Sequence, residues 1–190
     1  MIEIKLFGRG GQGTVTAAQI LASAAFSEGK YAQTFPQFGA ERRGAPVLAY
    51  VRVDDAPITL RNKVYQPDVI MIMDQNLFKM TNPFQGLKPG GVVIINGEVI
   101  PAQLSSFMVD HSVSIHLINA SFLAEELYGN TSIPIVNIIF LGAYCRALGD
   151  VKIESVNNIL PDYFPAGLVD LNRRAAQLGF DNLRGILWST

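Results

Sequence analysis

Charge is scarce in this sequence. Only 16% of its 190 residues are Asp, Glu, Lys or Arg, and the formal net charge is −1. So even a balance leaves no basic footprint for nucleic acid. Cysteine is scarcer still. Cys145 is the only one, which excludes a disulfide within the chain and any zinc or iron–sulfur site built from four of its own cysteines. The two histidines, His111 and His116, have no cysteine or acid at ligand spacing, so packing accounts for them better than a metal does. No serine sits in a G-x-S-x-G elbow, which argues against a hydrolase. The most apolar run, 133–148, carries Asn137 and Arg146 and is short for a bilayer span. The sequence opens directly on a strand pattern with no leader-like stretch, and it reads as cytoplasmic, with no membrane partner. Scarce charge together with a mean hydropathy of +0.25 has two readings. Either part of the surface is covered by partner subunits, or a compact α/β core holds strands buried on both faces.

What is present is a regular alternation of elements. Ile2, Ile4, Leu6 and Phe7 make a short strand, "GRGGQG" follows, and Thr14 to Ser27 form an alanine-rich helix suited to close packing on a sheet. "KYAQTF" and "VLAYVRV" read as strands, the second ended by the turn "DDAP", with "ITLRN" as a short edge strand. "DVIMIMD" is a continuous apolar run of the kind found in central parallel strands, "VVIINGE" is another, and "VSIHLINA" is the last clear strand. Helices then dominate: 120–128 stopped by Gly129, a long one capped by Ser132 with Pro134 in its first turn and ended by Gly149, then 152–160 and 166–178. The order predicts a single α/β domain over 1–190, with a mostly parallel sheet, flanking helices, a Rossmann-like start and a helical C-terminal part.

Two stretches carry chemistry. Gly8, Gly10 and Gly13 occupy the positions of G-x-G-x-x-G between a strand and a helix, where glycines let backbone N–H groups approach a diphosphate. A dinucleotide fold also wants an acid at the end of the second strand for the ribose. Here that place holds "YAQTFPQ", which argues against NAD. The same glycines also serve a purely structural end, letting the first helix pack close to the sheet. The second stretch is "FPQFGAERRGAPV". Two glycines bracket Glu41, Arg42 and Arg43, and Phe35, Phe38 and Pro46 are placed to pin the loop.

Taken together, "GRGGQG", "FPQFGAERRGAP" and "PDVIMIMD", in that order over residues 4–74, resemble the gamma subunit of 2-oxoacid:ferredoxin oxidoreductases. The likeness continues less specifically from 92 to 178, and it leans toward the pyruvate and branched-chain 2-oxoacid (2-oxoisovalerate) members. The resemblance implies a heteromeric enzyme that oxidatively decarboxylates a 2-oxoacid to an acyl-coenzyme A and passes electrons to ferredoxin. It also implies alpha, beta and delta partner subunits that hold thiamine diphosphate, magnesium and the iron–sulfur clusters. This chain would bind no such group itself and would be inactive alone. Its implied share is part of the coenzyme A site and of the assembly. Gly8, Arg9, Gly10, Gly11, Gln12, Gly13, Arg42 and Arg43 are the candidate contacts, and no catalytic or metal-binding residue is assigned. Arginine suits the phosphates of coenzyme A because its planar fork makes paired, charge-assisted hydrogen bonds. Arg42 and Arg43 are equally suited to an acid on a neighbouring subunit.

Two alternatives stay open: a free-standing nucleotide-binding oxidoreductase using the glycine loop, and a purely structural assembly subunit. Among the remaining residues, Asp68 opens a strand, whereas Asp74 and Asn96-Gly97 end strands on the side where α/β ligands bind. Asn137 needs a partner if buried, and Cys145, on an apolar helix, reads as buried and inert.

Overall fold

The computed structural model describes residues 1–37, 45–79, 82–100 and 112–186. The chain runs β1 (Ile2–Arg9), α1 (Thr14–Ser27), β2 (Tyr31–Gln37), β3 (Pro46–Asp54), β4 (Val69–Ile72), a 3-10 turn (Gln75–Lys79), β5 (Val92–Asn96) and β6 (Ser114–Ile118). It continues through α2 (Ala120–Tyr128), α3 (Asn137–Leu148), α4 (Ile153–Tyr163) and α5 (Ala166–Asp181) to β7 (Arg184–Ile186). One seven-stranded sheet has the order β2-β3-β1-β4-β5-β6-β7. Its middle, β1-β4-β5-β6, is parallel, and the flanks are antiparallel: β2 and β3 on one side, β7 on the other.

The apolar strands are buried on both faces because alternate side chains point opposite ways. Met71 and Ile94 join Ile4, Leu6 and Val51 under the helices, while Ile70, Ile72, Val93 and Ile95 face the other side, where Phe84 and Leu87 cover them. Among the described residues all five helices pack into the first of these cores. α3 is its centre: Asn137 to Cys145 are all buried, as expected of a helix that is apolar all round. It crosses α5 at backbone contact. A Cβ on Gly142 would run into the carbonyl of Ala176, and one on Gly179 into the carbonyl of Ile139.

Four details differ from expectation. Residues 58–62 form no strand; the edge beside β3 is taken by β2, and the segment is held instead by Asn62, which accepts from Arg52 Nη2 at 3.3 Å. α3 starts at Asn137 with Val136 as its N-cap, not at Ser132, because Ile133 and Pro134 are drawn onto the glycine loop and the cleft beside it. β7 is a strand with only three residues, too short to show alternation. α4 and α5 also run three residues beyond 160 and 178.

Candidate functional site: a cleft at the carboxyl edge of the parallel strands

β1, β4, β5 and β6 point the same way, so their C-terminal ends gather polar residues at one edge. Arg9 closes β1, Asp74 follows β4, Asn96 closes β5 and Asn119 follows β6. Between them lies an open cleft of about 560 Å3, also lined by Gln12, Gln75, Asn76, Glu98 and Ser121. This is the position at which open α/β sheets bind ligands.

The floor of the cleft is a web of amides. Gln12 is buried; its Oε1 accepts from the Arg9 N–H at 2.9 Å and its Nε2 donates to the Met73 carbonyl at 3.4 Å. Asn96 Nδ2 donates to the same carbonyl and to Ser121 Oγ, both at 2.8 Å, and its Oδ1 accepts from the Ser121 N–H at 3.2 Å. Asn119 caps α2 by accepting from the Phe122 N–H at 3.2 Å and donates to Glu98 Oε1 at 3.0 Å. Arg9 is tied to Asp74 by a 3.2 Å ion pair. The described lining therefore sets one cation against two carboxylates, Asp74 and Glu98. It favours a neutral, amide-bearing ligand over an anion unless further cations join it.

The glycine loop borders this cleft and is itself tightly packed. A side chain on Gly8 would collide with Thr14 Oγ1, and one on Gly13 with the Asn137 amide. Ile133 stands 3.8 Å from where a Gly11 side chain would be, and Gly11 and Gly13 have φ of 103° and 79°, conformations that glycine adopts freely. So Gly8 and Gly13 have a packing reason and Gly11 a conformational one, and the approach over Gly13 is taken by the chain itself. Arg9 and Gln12 are the loop side chains that reach the cleft, and Gly10 donates its N–H to the Ala45 carbonyl at 2.9 Å. Arg42 and Arg43 lie outside the described residues, as do Phe38, Glu41 and His111. The described ends of their segment are nonetheless at this edge: Pro46 pairs with Arg9 and Gln37 with Leu48.

Asp68 sits at the opposite end of the sheet, accepting from the Glu3 N–H at 2.8 Å and from Lys88 at 2.8 Å, so it opens its strand without reaching the cleft. Asn137 does have a partner; its Oδ1 accepts from the Ile138 N–H at 2.9 Å. His116 stands in β6 opposite Gly185, and burial lowers its pKa. Among the described residues no cluster of three or more His, Cys, Asp or Glu could hold a metal ion. Ser121 and Asn119 escaped the sequence reading, because nothing in "LINASF" marks a helix cap as the wall of a cleft; the signal available was an Asn one residue past a strand at its C-terminal end.

Comparison with known proteins agrees with the fold and the motifs. The family model for "Pyruvate ferredoxin/flavodoxin oxidoreductase" matches residues 3–182. The chain is 45% identical over 181 residues to the pyruvate/ketoisovalerate oxidoreductases common subunit gamma of Thermococcus kodakarensis, covering 95% of this chain and 96% of the relative. It is 44% identical over 183 residues to pyruvate synthase subunit PorC of Methanothermobacter thermautotrophicus, covering 96% of each. Among solved structures, pyruvate oxidoreductase subunit PORC of Thermotoga maritima superposes with a TM-score of 0.79 at 31% identity over 97% of both chains.

Proposed function

Because the chain belongs to the pyruvate ferredoxin/flavodoxin oxidoreductase family, we propose that its carboxyl-edge cleft forms part of the coenzyme A site of the assembled enzyme. The chain is the gamma subunit of a 2-oxoacid:ferredoxin oxidoreductase complex. On this reading the 2-oxoacid is pyruvate or a branched-chain analogue, the partners are alpha, beta and delta subunits in the cytoplasm, and the chain alone turns nothing over. Thiamine diphosphate with magnesium, and the iron–sulfur clusters, supply decarboxylation and electron transfer from those partners. A chain with one cysteine cannot ligate a cluster by itself.

The observation that carries the proposal is the division of labour at this edge. Coenzyme A has a neutral arm with two amides and, at its other end, a diphosphate and a 3′-phosphate. The amide-rich cleft of Gln75, Asn76, Asn119 and Ser121 suits the arm. Its own charge balance does not suit the phosphates, and the segment bearing Arg42 and Arg43 begins and ends at the same edge. Those two arginines supply the missing cations. Arg9, held by Asp74, orients the boundary between the two regions. The Gly8–Gly13 loop contributes Arg9 and Gln12 and keeps the edge compact.

The test is coenzyme A titration of the assembled enzyme carrying Arg42→Ala or Arg43→Ala. A hydrogen bond to a charged group contributes about 1.5–3 kcal/mol, so the half-saturating coenzyme A concentration rises about tenfold to a hundredfold. Decarboxylation in the absence of coenzyme A is unchanged, and Arg→Lys rescues only partly, since an ammonium cannot form the fork. An unchanged coenzyme A constant, with activity falling on dilution, would instead assign the arginines to subunit contact.

A further inference from the structure

We propose that the surface displayed by residues 57–67, together with Lys5, docks an acidic segment of another subunit of the enzyme. The proposal rests on the reading of the chain as one subunit of a complex. Its starting point is an unbalanced charge. From 56 to 67 the sequence holds Arg61 and Lys63 and no acid. Five of the described cations are ion-paired: Arg9 with Asp74, Lys30 with Glu28, Arg52 with Glu3, Lys88 with Asp68 and Arg173 with Asp170. Arg61, Lys63 and Lys5 make no ion pair with any described carboxylate. Of the flanking acids, Asp54 pairs with the N-terminal ammonium at 3.5 Å and Asp68 with Lys88 at 2.8 Å, while the exposed Asp55 pairs with none of these three cations.

Two of these cations, Lys5 and Lys63, are also close together, and each is set on an aromatic face. Lys5 Nζ lies 4.6 Å from the Phe7 ring centroid, and Lys63 Nζ 5.2 Å from that of Tyr65. Lys63 is near enough to Lys5 that its charge, after burial, lowers the Lys5 pKa. Beside them Leu60 is 42% and Tyr65 62% exposed. Apolar and aromatic side chains with Arg among them are the composition of an interface centre.

The segment is held in place before any partner arrives. Val64 is buried, and Asn62 accepts a hydrogen bond from Arg52, itself fixed by Glu3 at 2.9 Å. A pre-ordered loop loses little entropy on association. Two like charges held together on an ordered apolar surface call for a carboxylate partner, which relieves their repulsion and steers the encounter.

The experiment uses the reconstituted enzyme with Arg61→Glu/Lys63→Glu in this chain, beside Arg174→Glu on the exposed face of α5 as a charge-reversal control away from this surface. The expected result is at least tenfold weaker association of this subunit at low salt. That difference should shrink in about 1 M salt, where the Debye length is about 3 Å, and Arg174→Glu should behave as wild type. If the charge reversal impairs folding, Arg61→Gln/Lys63→Gln removes the charges without reversing them, and the same comparison decides. Wild-type association of the double variant overturns the proposal, as does an equal loss in Arg174→Glu. Loss of self-association with the complex intact also overturns it, assigning the surface to a second copy of this chain.

Discussion

Arg52 is 1% exposed, a guanidinium in the middle of a sheet. It is tolerated because Glu3 accepts from Nε at 2.9 Å while Gln33 and Asn62 accept from the other nitrogens, both at 3.3 Å. In "VLAYVRV" this was invisible, since an arginine near the end of an alternating strand normally faces solvent. Cys145 was legible, because an apolar helix on all sides leaves a thiol nowhere to go. Burial first, then the charge of Asp150, push its pKa up to about 12. At pH 8 the native thiol is therefore expected to react with a disulfide reagent about a thousandfold more slowly than the denatured chain. The linkage has a definite sign. The folded pKa is raised, so this group costs no stability below the ordinary thiol range, and stability falls as pH rises from there toward 12. Tyr128, raised to about 12 by burial, acts in the same direction over the upper part of that range. Thermal denaturation followed from pH 7 to 11 checks this; Cys145→Ala should lessen the loss.

Element packing explains what motif reading could only flag. The crossing of α3 and α5 places the helix backbones against each other at Gly142 and Gly179. Glycine inside a helix costs about 1 kcal/mol relative to alanine, so its presence twice at one contact marks close approach. Gly142→Ala is expected to destabilise the chain by about 3 kcal/mol despite the better helix propensity, the upper range for overpacking. A lowered urea midpoint with unchanged slope is the signature; a raised midpoint would mean the helices can part at no cost. In the glycine loop, strand, turn and helix were all readable from "GRGGQG" and the alanines that follow. That Asn137 fills the space over Gly13 was not, because the contact joins residues far apart in sequence. The same contact explains the late start of α3. Ser132 and Pro134 have good local credentials for a helix start, but Ile133 and Pro134 are held against the loop and the cleft instead.

For the molecule as a whole, the continuous apolar runs 69–72 and 92–96 fixed the parallel centre of the sheet, and the placing of Asp74 and Asn96 at its carboxyl edge followed from strand direction. The antiparallel flanks were harder to read, since alternation reports burial and not direction. Scarce charge admitted both a buried core and covered surfaces. The structure shows the first, and membership of a family of subunits of a multi-subunit oxidoreductase bears on the second. No described helix is long and apolar enough to cross a membrane.

The central claim is that coenzyme A meets this subunit at the carboxyl edge of its parallel strands. Hydrogen–deuterium exchange of the assembled enzyme, with and without coenzyme A, tests it most directly. Added coenzyme A should slow exchange in peptides spanning 37–45, 73–76, 96–99 and 119–122, and leave the opposite edge around Asp68 and Lys88 unchanged. Exchange in all four peptides unaltered by saturating coenzyme A would contradict the account.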